Sequence, residues 1–487
     1  MRPVIIDAYS DEASGLGVPP YLGTYPRYLY GALKKEGFFP RYLTIDDLRL
    51  VLGGKRPPDQ EKDMKTDIRR YNLTRPAQET RRILEEADTL LVSGGIHVPG
   101  KYLSAVPATF HEIRRLTRDL PQKKVLVGPA AFANRLEGGK SGEGTPPDTF
   151  DAVERNYLGI DDYDKVDEHA VLGAELLKEI PYDVMVELEA GRGCPMRCSF
   201  CLEPLKYQIE DRKPEPIISE VKALMKNGAE HFRFGKATCF YAYGRKDPKR
   251  MDRLLGSIAK LKPKTLHIDN ANPNNVTEEL TKIIVRHCTP GNIAAFGVES
   301  FDSEVIRKNR LNTTPERALK AIRIINSIGA ERGENGMPRL LPGINIIFGL
   351  LGERKETHAE NMKYLQQILD EGLLLRRINI RQVASFEGTY LHEHGGTKFV
   401  KKNRKHYWKW RNEIRQKIDL PMLDRLLPLG SVMKDVRMEI YDGKTTFGRQ
   451  WGTYPLIVGV KGRLPLGSYH NIRVTKHMLR SVTGEAV

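Results

Sequence analysis

The feature of the sequence that most restricts its fold is a cluster of three cysteines with the spacing C-x3-C-x2-C, at Cys194, Cys198 and Cys201. An alternating apolar run over residues 182–188 precedes the cluster and predicts a strand. Glycines on either side of Arg192 then let the backbone turn tightly. The cysteines are therefore expected on a loop at the carboxyl end of a strand, where α/β proteins place their chemistry.

Three closely spaced thiolates can hold three irons of a [4Fe–4S] cluster, which takes four protein ligands when it is complete. With no fourth cysteine in the spacing, one iron is left open to bind a small molecule. The spacing differs from the C-x2-C-x2-C run of ferredoxins and from paired C-x2-C zinc knuckles. A zinc knuckle or a chance spacing is the alternative.

The motif resembles that of the radical SAM superfamily, including the aromatic Phe200 just before the third cysteine. The resemblance implies that Cys194, Cys198 and Cys201 are the catalytic and metal-binding residues. It also implies that the open iron binds the amino and carboxylate groups of S-adenosylmethionine (SAM). An electron from the cluster, delivered by a donor such as a ferredoxin or flavodoxin, then releases a 5′-deoxyadenosyl radical.

Composition indicates a folded, multidomain protein without a membrane segment. A length of 487 residues suggests about three domains. No run of about 18 apolar residues predicts a transmembrane helix, and the start of the sequence has no signal-peptide pattern. Five cysteines, three of them clustered, do not form a disulfide framework, so we expect a reducing, cytoplasmic location.

Residues 1–170 alternate strand and helix signals, which predicts an open, Rossmann-like parallel sheet. Such sheets bind ligands at the carboxyl ends of their strands, where the turns at Ser93, Gly94 and Gly128 are expected. The arrangement is similar to the cobalamin-binding domains that precede some radical SAM domains, and these three residues are candidate contacts. The D-x-H-x-x-G signature that supplies a histidine to cobalt is absent, and His97 is a weak substitute. The alternative is a sheet that binds no cofactor.

Residues 181–397 show about six strand–helix units, and the resemblance implies a partial (β/α)6 radical SAM barrel. Polar residues near the strand ends resemble the segments of methylthiotransferase-like enzymes that contact SAM. The family binds the SAM amino group after the second strand, at a G-G-E motif. That motif is absent here, so Gly235 and Lys236 are assigned from their position alone. The candidate cofactor-binding residues are Phe200, Gly235, Lys236, Asn272, Glu299, Ser300, Arg310 and Asn345.

The two remaining cysteines are expected to differ in role. Cys288 follows a predicted helix and precedes Pro290, which favours buried packing. Cys239 lies past a strand end, at the mouth of the predicted cavity, and is either a residue on the substrate side or part of the packing.

Positive charge is concentrated at the carboxyl end, where residues 398–487 carry +12 of the formal net charge of +16. Localised charge of this size suggests a polyanion such as nucleic acid, or else a solvated face. Residues 398–429 are predicted to be a basic connecting helix in which Lys and Arg alternate with aromatic residues. Trp408 and Trp410 could stack on unpaired bases or pack the helix onto the barrel.

Residues 430–487 read as short strands and turns, which fits a small OB-like β-barrel. The segments around Gly448 and Ile472 resemble a TRAM domain, a module that binds RNA, mostly in enzymes that modify tRNA or rRNA. A barrel that caps the active site without RNA is the alternative. The candidate RNA contacts are Arg449, Gln450, Lys461, Arg463, Arg473 and Lys476.

These patterns favour a radical SAM enzyme that methylates an unactivated carbon of a tRNA nucleoside, with cobalamin as the methyl carrier. A methylthiotransferase is the first alternative, although that family draws three cysteines for a second cluster from its amino-terminal domain and residues 1–193 contain none. The others are a radical SAM enzyme acting on a protein, and a binding protein without turnover.

Overall fold

The computed structural model describes residues 2–9, 20–53, 71–94, 107–132 and 149–487. The chain forms two compact units, which are described separately. Unit 1 comprises Met1–Glu189, Arg212–Phe232 and Leu261–Pro263. Unit 2 comprises Ala190–Asp211, Arg233–Lys260 and Lys264–Val487. The bounds of the four segments predicted from the sequence stay predictions. His97, considered above as a substitute for the cobalt-binding histidine, lies outside the described residues.

The strands, in chain order, are β1 (Pro3–Asp7), β2 (Tyr21–Leu22), β3 (Arg41–Thr44), β4 (Thr89–Ser93), β5 (Lys123–Val127), β6 (Ala152–Glu154), β7 (Met185–Glu187), β8 (Gly191–Arg192), β9 (Glu210–Asp211), β10 (His231–Phe234), β11 (Thr265–Ile268), β12 (Asn270–Ala271), β13 (Asn292–Glu299), β14 (Leu340–Phe348), β15 (Arg377–Gln382), β16 (Val432–Asp442), β17 (Thr445–Arg449), β18 (Ile457–Lys461), β19 (Tyr469–His477) and β20 (Ser481–Ala486).

The α-helices are α1 (Thr24–Lys35), α2 (Ile45–Leu52), α3 (Ala77–Glu86), α4 (Phe110–Thr117), α5 (Tyr163–Leu172), α6 (Glu203–Lys206), α7 (Pro214–Lys226), α8 (Tyr243–Lys246), α9 (Pro248–Ala259), α10 (Glu278–His287), α11 (Ser303–Lys308), α12 (Pro315–Gly329), α13 (Lys355–Asp370), α14 (Tyr390–His394), α15 (Lys398–Ile414) and α16 (Leu420–Leu426). No helix in the described part of the chain is long and apolar enough to cross a membrane.

Unit 1 is organised around a five-stranded parallel sheet with the order β3-β1-β4-β5-β6. Every residue of β1 and β4 is buried, as expected for central parallel strands that are covered on both faces. Helix α2 begins at a capping box in which Thr44 and Asp47 bond reciprocally, so its first turn is satisfied locally. The prediction of a mixed α/β fold with parallel sheets is confirmed.

A buried ion network ties three segments of unit 1 together. Arg27 Nη1 lies 2.6 Å from Glu220 Oε1, and Arg212 Nη1 lies 2.7 Å from Glu220 Oε2, with all three side chains fully buried. Arg212 Nη1 also donates to the carbonyl oxygen of Glu189. The carboxylate of α7 therefore bridges two guanidinium groups that have no access to water, and Asp167 Oδ1, 2.8 Å from Arg212 Nε, supplies a second negative charge.

Unit 2 contains a parallel sheet with the order β12-β13-β14-β15. Strand β14 is apolar and almost wholly buried, whereas β15 alternates polar and apolar residues as R-I-N-I-R from Arg377. Since side chains alternate across a strand, the polar residues of β15 share one face. A register shift between Phe296 and Glu299 interrupts the β13–β14 ladder and turns the end of β13.

The carboxyl end of unit 2 is a closed barrel with the order β16-β17-β18-β20-β19 around an apolar core. The prediction of a small β-barrel is confirmed, although the sequence pattern indicated four strands, at 432–441, 445–447, 454–460 and 471–475, and the closed barrel has five. Strand β20 was not expected, and it closes the barrel by pairing in parallel with β18 and antiparallel with β19. Strand β18 begins at Ile457 rather than at Tyr454.

Helix α15 covers the first part of the predicted connecting helix over residues 398–429. It ends at Ile414 and continues through a π-turn, Arg415–Asp419, into α16. Pro421 lies in the first turn of α16, directly after the π-turn, and its missing N–H removes one backbone donor from the continuous helical run. The buried Arg415 donates to the carbonyl oxygen of Ile378 and so fixes the π-turn on β15.

The buried ion network predicts a large difference between two charge-removing substitutions in unit 1. Glu220→Ala removes the carboxylate partner of the buried Arg27 and one of the two carboxylates, Glu220 and Asp167, that pair with Arg212, and it should lower the free energy of unfolding by about 3–5 kcal/mol. Lys178→Ala removes an exposed ion pair with Glu175 and should cost no more than about 1 kcal/mol. Urea unfolding of both variants, followed by circular dichroism, measures the difference. Equal midpoints would contradict the network's role.

Candidate active site

The cysteine loop is closed at its base by a short antiparallel ladder between β8 and β9. Gly193, the residue before the first cysteine, adopts a left-handed φ of 77°. A Cβ atom at this position would lie 2.3 Å from the carbonyl oxygen of Gln208, on the opposite arm of the loop. Glycine is therefore required twice over, by its φ and by the close approach of the two arms.

The buried Ser199 anchors the middle of the cysteine loop to two other segments of unit 2. Its N–H donates to the carbonyl oxygen of Asn309 at 2.9 Å, and its hydroxyl donates to Asn309 Oδ1 at 2.6 Å. The carbonyl oxygen of Ser199 accepts from the N–H of Leu391 at 2.8 Å. Asn309 also bonds through its side chain to Leu351, so the loop is held from the end of α11 and from the turn after β14.

The three cysteines of the loop are free, partly exposed thiols. Burial raises the pKa of Cys194, of Cys198 (to about 12) and of Cys201. The neighbouring cysteines raise the pKa values of Cys198 and Cys201 further by mutual repulsion. Three thiols that disfavour one another's ionisation are a donor set that cations would stabilise as thiolates.

The chemistry of the donor set, three thiols on one loop, fits an iron–sulfur cluster. Within the described ranges, no three Cys, His, Asp or Glu side chains are grouped as the ligands of one metal ion would be. In a [4Fe–4S] cluster each thiolate binds a different iron, so its ligands need not converge on one point. The three-cysteine loop therefore suits a cluster with one iron left open.

Phe200 packs beside the cysteines rather than pointing into solvent. It lies in an apolar cluster whose buried members include Val305, Leu350 and Leu391, with Leu311 at its edge. The aromatic residue of the motif thus packs the cysteine loop against this apolar cluster.

Glu299 lies at the end of β13 in a left-handed backbone conformation, with a φ of 65°. Its Oε2 atom is buried and receives no hydrogen bond from the residues that the structure describes. Burial raises the pKa of this carboxyl to about 8, and Arg381 on β15 opposes that shift. The carboxyl also raises the pKa of Cys198, which places it on the side of the cysteine loop. An acceptor in this position is available to a polar ligand.

The neighbouring Ser300 and the more distant Arg310 have different surroundings. Ser300 is buried, and its hydroxyl accepts from the N–H of Asp302 at 3.2 Å, which caps the approach to α11. Arg310 is exposed, has a φ of 51°, and its guanidinium lies 4.1 Å from the ring centroid of Tyr390. The stacking holds this guanidinium against α14, next to Leu391, whose N–H bonds to Ser199 of the cysteine loop.

The segment after β10 carries Gly235, Lys236 and Cys239. The carbonyl oxygen of Gly235 accepts from Asn270 Nδ2, and the Lys236 ammonium lies 5.9 Å from the ring centroid of Tyr207. Thr238 donates to the carbonyl oxygen of Gly193, so this segment contacts the base of the cysteine loop. Lys236 is buried, unlike a surface lysine.

Asn272 binds the sulfur of Cys239 through its backbone N–H at 3.1 Å. Asn275 Nδ2 lies 3.4 Å from the same sulfur. Burial raises the pKa of Cys239 despite these hydrogen bonds, and Cys239 in turn raises the pKa of Cys194. Cys239 therefore lies near the cysteine loop, whereas Cys288 is buried, as expected for packing.

Asn345 belongs to a polar row that the sequence reasoning did not identify. It pairs in register with Asn379, whose Nδ2 donates to Asn345 Oδ1 at 3.0 Å. Arg377 Nη2 lies 3.2 Å from Asn379 Oδ1, and Arg381 continues the row along β15. The alternating R-I-N-I-R pattern is the signal that would have predicted a polar face on this strand.

The three candidates in unit 1 lie together at the ends of β4 and β5. Gly128 has a φ of 80°, and a Cβ atom there would lie 3.3 Å from Ser93 Oγ. A Cβ atom at Gly94 would lie 3.0 Å from Leu126 Cδ1. The left-handed φ favours glycine at position 128, whereas a side chain at position 94 would require Leu126 to shift. Their roles as cofactor contacts stay predictions.

The six candidate RNA contacts divide by exposure. Arg449 is buried and its Nη2 lies 3.1 Å from Glu439 Oε2, while Gln450 Nε2 donates to the carbonyl oxygens of Asn335 and Lys434. These two side chains stabilise the barrel and do not present a surface, which corrects their assignment. The exposed candidates are Lys461, Arg463, Arg473 and Lys476.

Comparison with protein families places the cysteine loop in a known type of domain. The model described as the radical SAM superfamily matches residues 188–365. An uncharacterised protein of Methanocaldococcus jannaschii is 38% identical over 100% of this chain and 93% of its own length.

Two partial relatives are methylthiotransferases. A ribosomal protein uS12 methylthiotransferase of Clostridioides difficile is 24% identical over 38% of this chain and 40% of its own length. A tRNA-2-methylthio-N(6)-dimethylallyladenosine synthase of Chlorobium chlorochromatii is 23% identical over 36% of this chain and 38% of its own length.

A similar solved structure is that of TsrM from Kitasatospora setae, a radical S-adenosylmethionine methyltransferase with cobalamin and a [4Fe–4S] cluster bound. The TM-score is 0.51 at 13% identity, and the superposition covers 80% of this chain and 77% of TsrM. This likeness concerns the fold.

The double requirement for glycine before the first cysteine gives a testable contrast. Gly193→Ala and Gly228→Ala both place a side chain at a left-handed φ, which costs about 1–2 kcal/mol. Only Gly193→Ala also collides with the opposite arm of the loop, since nothing lies within 4 Å of a Cβ atom at Gly228. After anaerobic reconstitution, Gly193→Ala should lose most of the iron that Gly228→Ala retains. Equal iron contents would show that the loop tolerates the side chain.

Proposed function

Because the chain belongs to the radical SAM superfamily, we propose that it is a radical SAM methyltransferase that acts on an unactivated carbon of a tRNA nucleoside. The observation that carries the proposal is that one compact unit holds both the cysteine loop and a closed barrel with exposed basic side chains. A polyanionic substrate is what such a barrel suits.

The cofactors of the superfamily are a [4Fe–4S] cluster and SAM, and residues of unit 2 are suited to both. Cys194, Cys198 and Cys201 would hold the cluster, which when bound supplies an electron to SAM. The buried Glu299 carboxyl would bind a hydroxyl or ammonium group of SAM. The Arg310 guanidinium, oriented by Tyr390, would pair with a carboxylate.

Cobalamin is proposed as the methyl carrier because TsrM, whose fold is similar, is described with cobalamin bound. The parallel sheet of unit 1 offers the turns at Ser93, Gly94 and Gly128, at the carboxyl ends of adjacent strands, where open α/β sheets bind ligands. Cobalt measured after incubation with hydroxocobalamin and gel filtration tests this part by itself. A protein that loads its iron but retains no cobalt would count against the carrier.

The reaction is tested on tRNA nucleosides. In a deletion strain, one modified nucleoside should become lighter by the mass of one methylene group, as measured by mass spectrometry of digested tRNA. Wild-type protein should restore it, whereas Cys198→Ala, which removes a cluster ligand, should not. An unchanged nucleoside profile would reject tRNA as the substrate.

A methylthiotransferase is the second candidate, favoured by the partial relatives of that class. It requires a second cluster, for which residues 1–193 contain no cysteine. Iron analysis should therefore give about four irons per chain, the content of one [4Fe–4S] cluster, rather than about eight. Loss of a sulfur-containing group in the deletion strain would favour this candidate instead.

A protein substrate is a further alternative, since one partial relative is named for a ribosomal protein. Removal of the whole barrel is a poor test, because Tyr454 is buried and its hydroxyl donates to Asp269 Oδ1 at 2.7 Å. Glutamine substitutions at the exposed Lys461, Arg463, Arg473 and Lys476 leave this contact intact. Undiminished methylation of the substrate by that variant would favour protein over RNA.

A further inference from the structure

The outward side of α15 forms a continuous positive surface. Successive residues turn by about 100° around a helix, so spacings of three and four residues return to the same side. The basic face of α15 is defined by the exposed or partly exposed side chains on that side, which are Lys398, Lys401, Arg404, Lys405, Trp408, Lys409 and Arg411.

No acidic side chain of α15 interrupts the basic face. The one acid of α15, Glu413, lies off this side, and its two oxygens bond to His358 at 3.0 Å and to Lys417 at 2.7 Å. The lysines and arginines of the basic face therefore carry a net positive charge that no side chain of α15 neutralises. A polyanion complements such a surface, whereas a mixed solvated face would carry both signs.

Trp408 lies near the centre of the basic face, and 62% of it is exposed. Trp410, two residues later, is 6% exposed. The Arg411 guanidinium lies 5.3 Å from the Trp408 ring centroid, and Tyr407 meets the ring edge-on. A large indole supported in this way and open to solvent presents a flat surface on which a base can stack.

The opposite side of α15 is fixed to the element that carries part of the candidate site. Trp410 stacks on Phe348 and His358, at centroid distances of 5.5 and 5.3 Å. Asn403 Nδ2 donates to the buried Glu353 Oε1 at 2.7 Å. A Cβ atom at Gly349 would lie 2.3 Å from Val400 Cγ2, so the helix lies directly against the end of β14.

The start of α15 is also close in sequence to a contact with the cysteine loop. Helix α14 directly precedes α15, and the N–H of Leu391 in α14 bonds to Ser199 between the second and third cysteines. The ring of Tyr390, also in α14, lies beneath Arg310. The basic face is therefore attached, through rigid contacts of unit 2, to both the cysteine loop and the end of β14.

We propose that the basic face of α15 is an RNA-binding surface, in which its lysines and arginines contact phosphates and Trp408 stacks on an unpaired base. This inference rests on the proposed function, because it assumes that the substrate is RNA. It adds a second surface to the exposed residues of the carboxyl-terminal barrel, and it assigns opposite roles to the two tryptophans.

The charge contribution is tested with the triple variant K401Q/K405Q/K409Q, whose positions lie four residues apart on the basic face. The matched control is K222Q/K226Q/K249Q, which removes three exposed lysines from α7 and α9. Binding of a single-stranded uridine oligomer is measured by fluorescence anisotropy at several KCl concentrations. The slope of log K against log salt should fall by about 2 in the triple variant, at about 0.7 per phosphate contact, and stay unchanged in the control.

The stacking contribution is tested with Trp408→Ala and Trp408→Phe at one salt concentration. Loss of one base stack should weaken binding about tenfold in Trp408→Ala, with an unchanged salt slope, and the phenylalanine should restore most of it. Indole emission should be quenched by the oligomer in the wild type, and most of that quenching should disappear in Trp408→Phe.

The outcomes separate this inference from the proposed function. If wild-type protein binds neither the oligomer nor bulk tRNA, the RNA assignment fails and this surface fails with it. If wild type binds both, but the triple variant matches its control and Trp408→Ala matches wild type, only the basic face is overturned. Those unchanged affinities are expected if RNA binding depends on the exposed barrel residues alone.

Discussion

The buried side chain of Asn309 joins the segments from which the candidate site is built. Its amide nitrogen donates to the carbonyl oxygens of Val305 and Leu351, and its amide oxygen accepts from Ser199 and from the N–H of Leu351. Each of these groups is buried, and a buried polar group without a partner costs about 1–3 kcal/mol. The cysteine loop, the end of α11 and the turn after β14 therefore hold one another in place. Any ligand of the cysteines is presented against this fixed frame.

Local patterns in the sequence predicted the cysteine loop, the parallel α/β sheets and the existence of a small barrel, because each depends on residues close together in the chain. Strand β20 was missed for the opposite reason. Ser481–Ala486 contains a glycine and few apolar residues, and besides its hairpin with β19 it pairs in parallel with β18, which lies further away in the chain. Short-range periodicity holds no information about such a partner.

The residue types showed which side chains of the barrel are charged, but they did not show which of these side chains are exposed. Arg449 and Lys461 are both cations of the barrel, yet Glu439 holds the first inside and the second is exposed. The two tryptophans of α15 could have been assigned to different faces of the helix in advance. Tyr407, Trp410 and Ile414 follow the spacing of a buried helical stripe, and Trp408 falls outside it. The polar row on β15 could likewise have been found from its period of two.

The two sides of α15 connect the proposed substrate surface to the chemistry. Contacts far from the reacting atoms accelerate a reaction only when their binding energy positions the target, which requires that surface and site move as one body. Trp410, Asn403 and Val400 supply that rigidity by packing α15 on the end of β14. A basic helix on a flexible tether would bind RNA equally well but would not orient it. The buried side of the helix, rather than its charge, is therefore what would turn RNA binding into positioning of a single carbon.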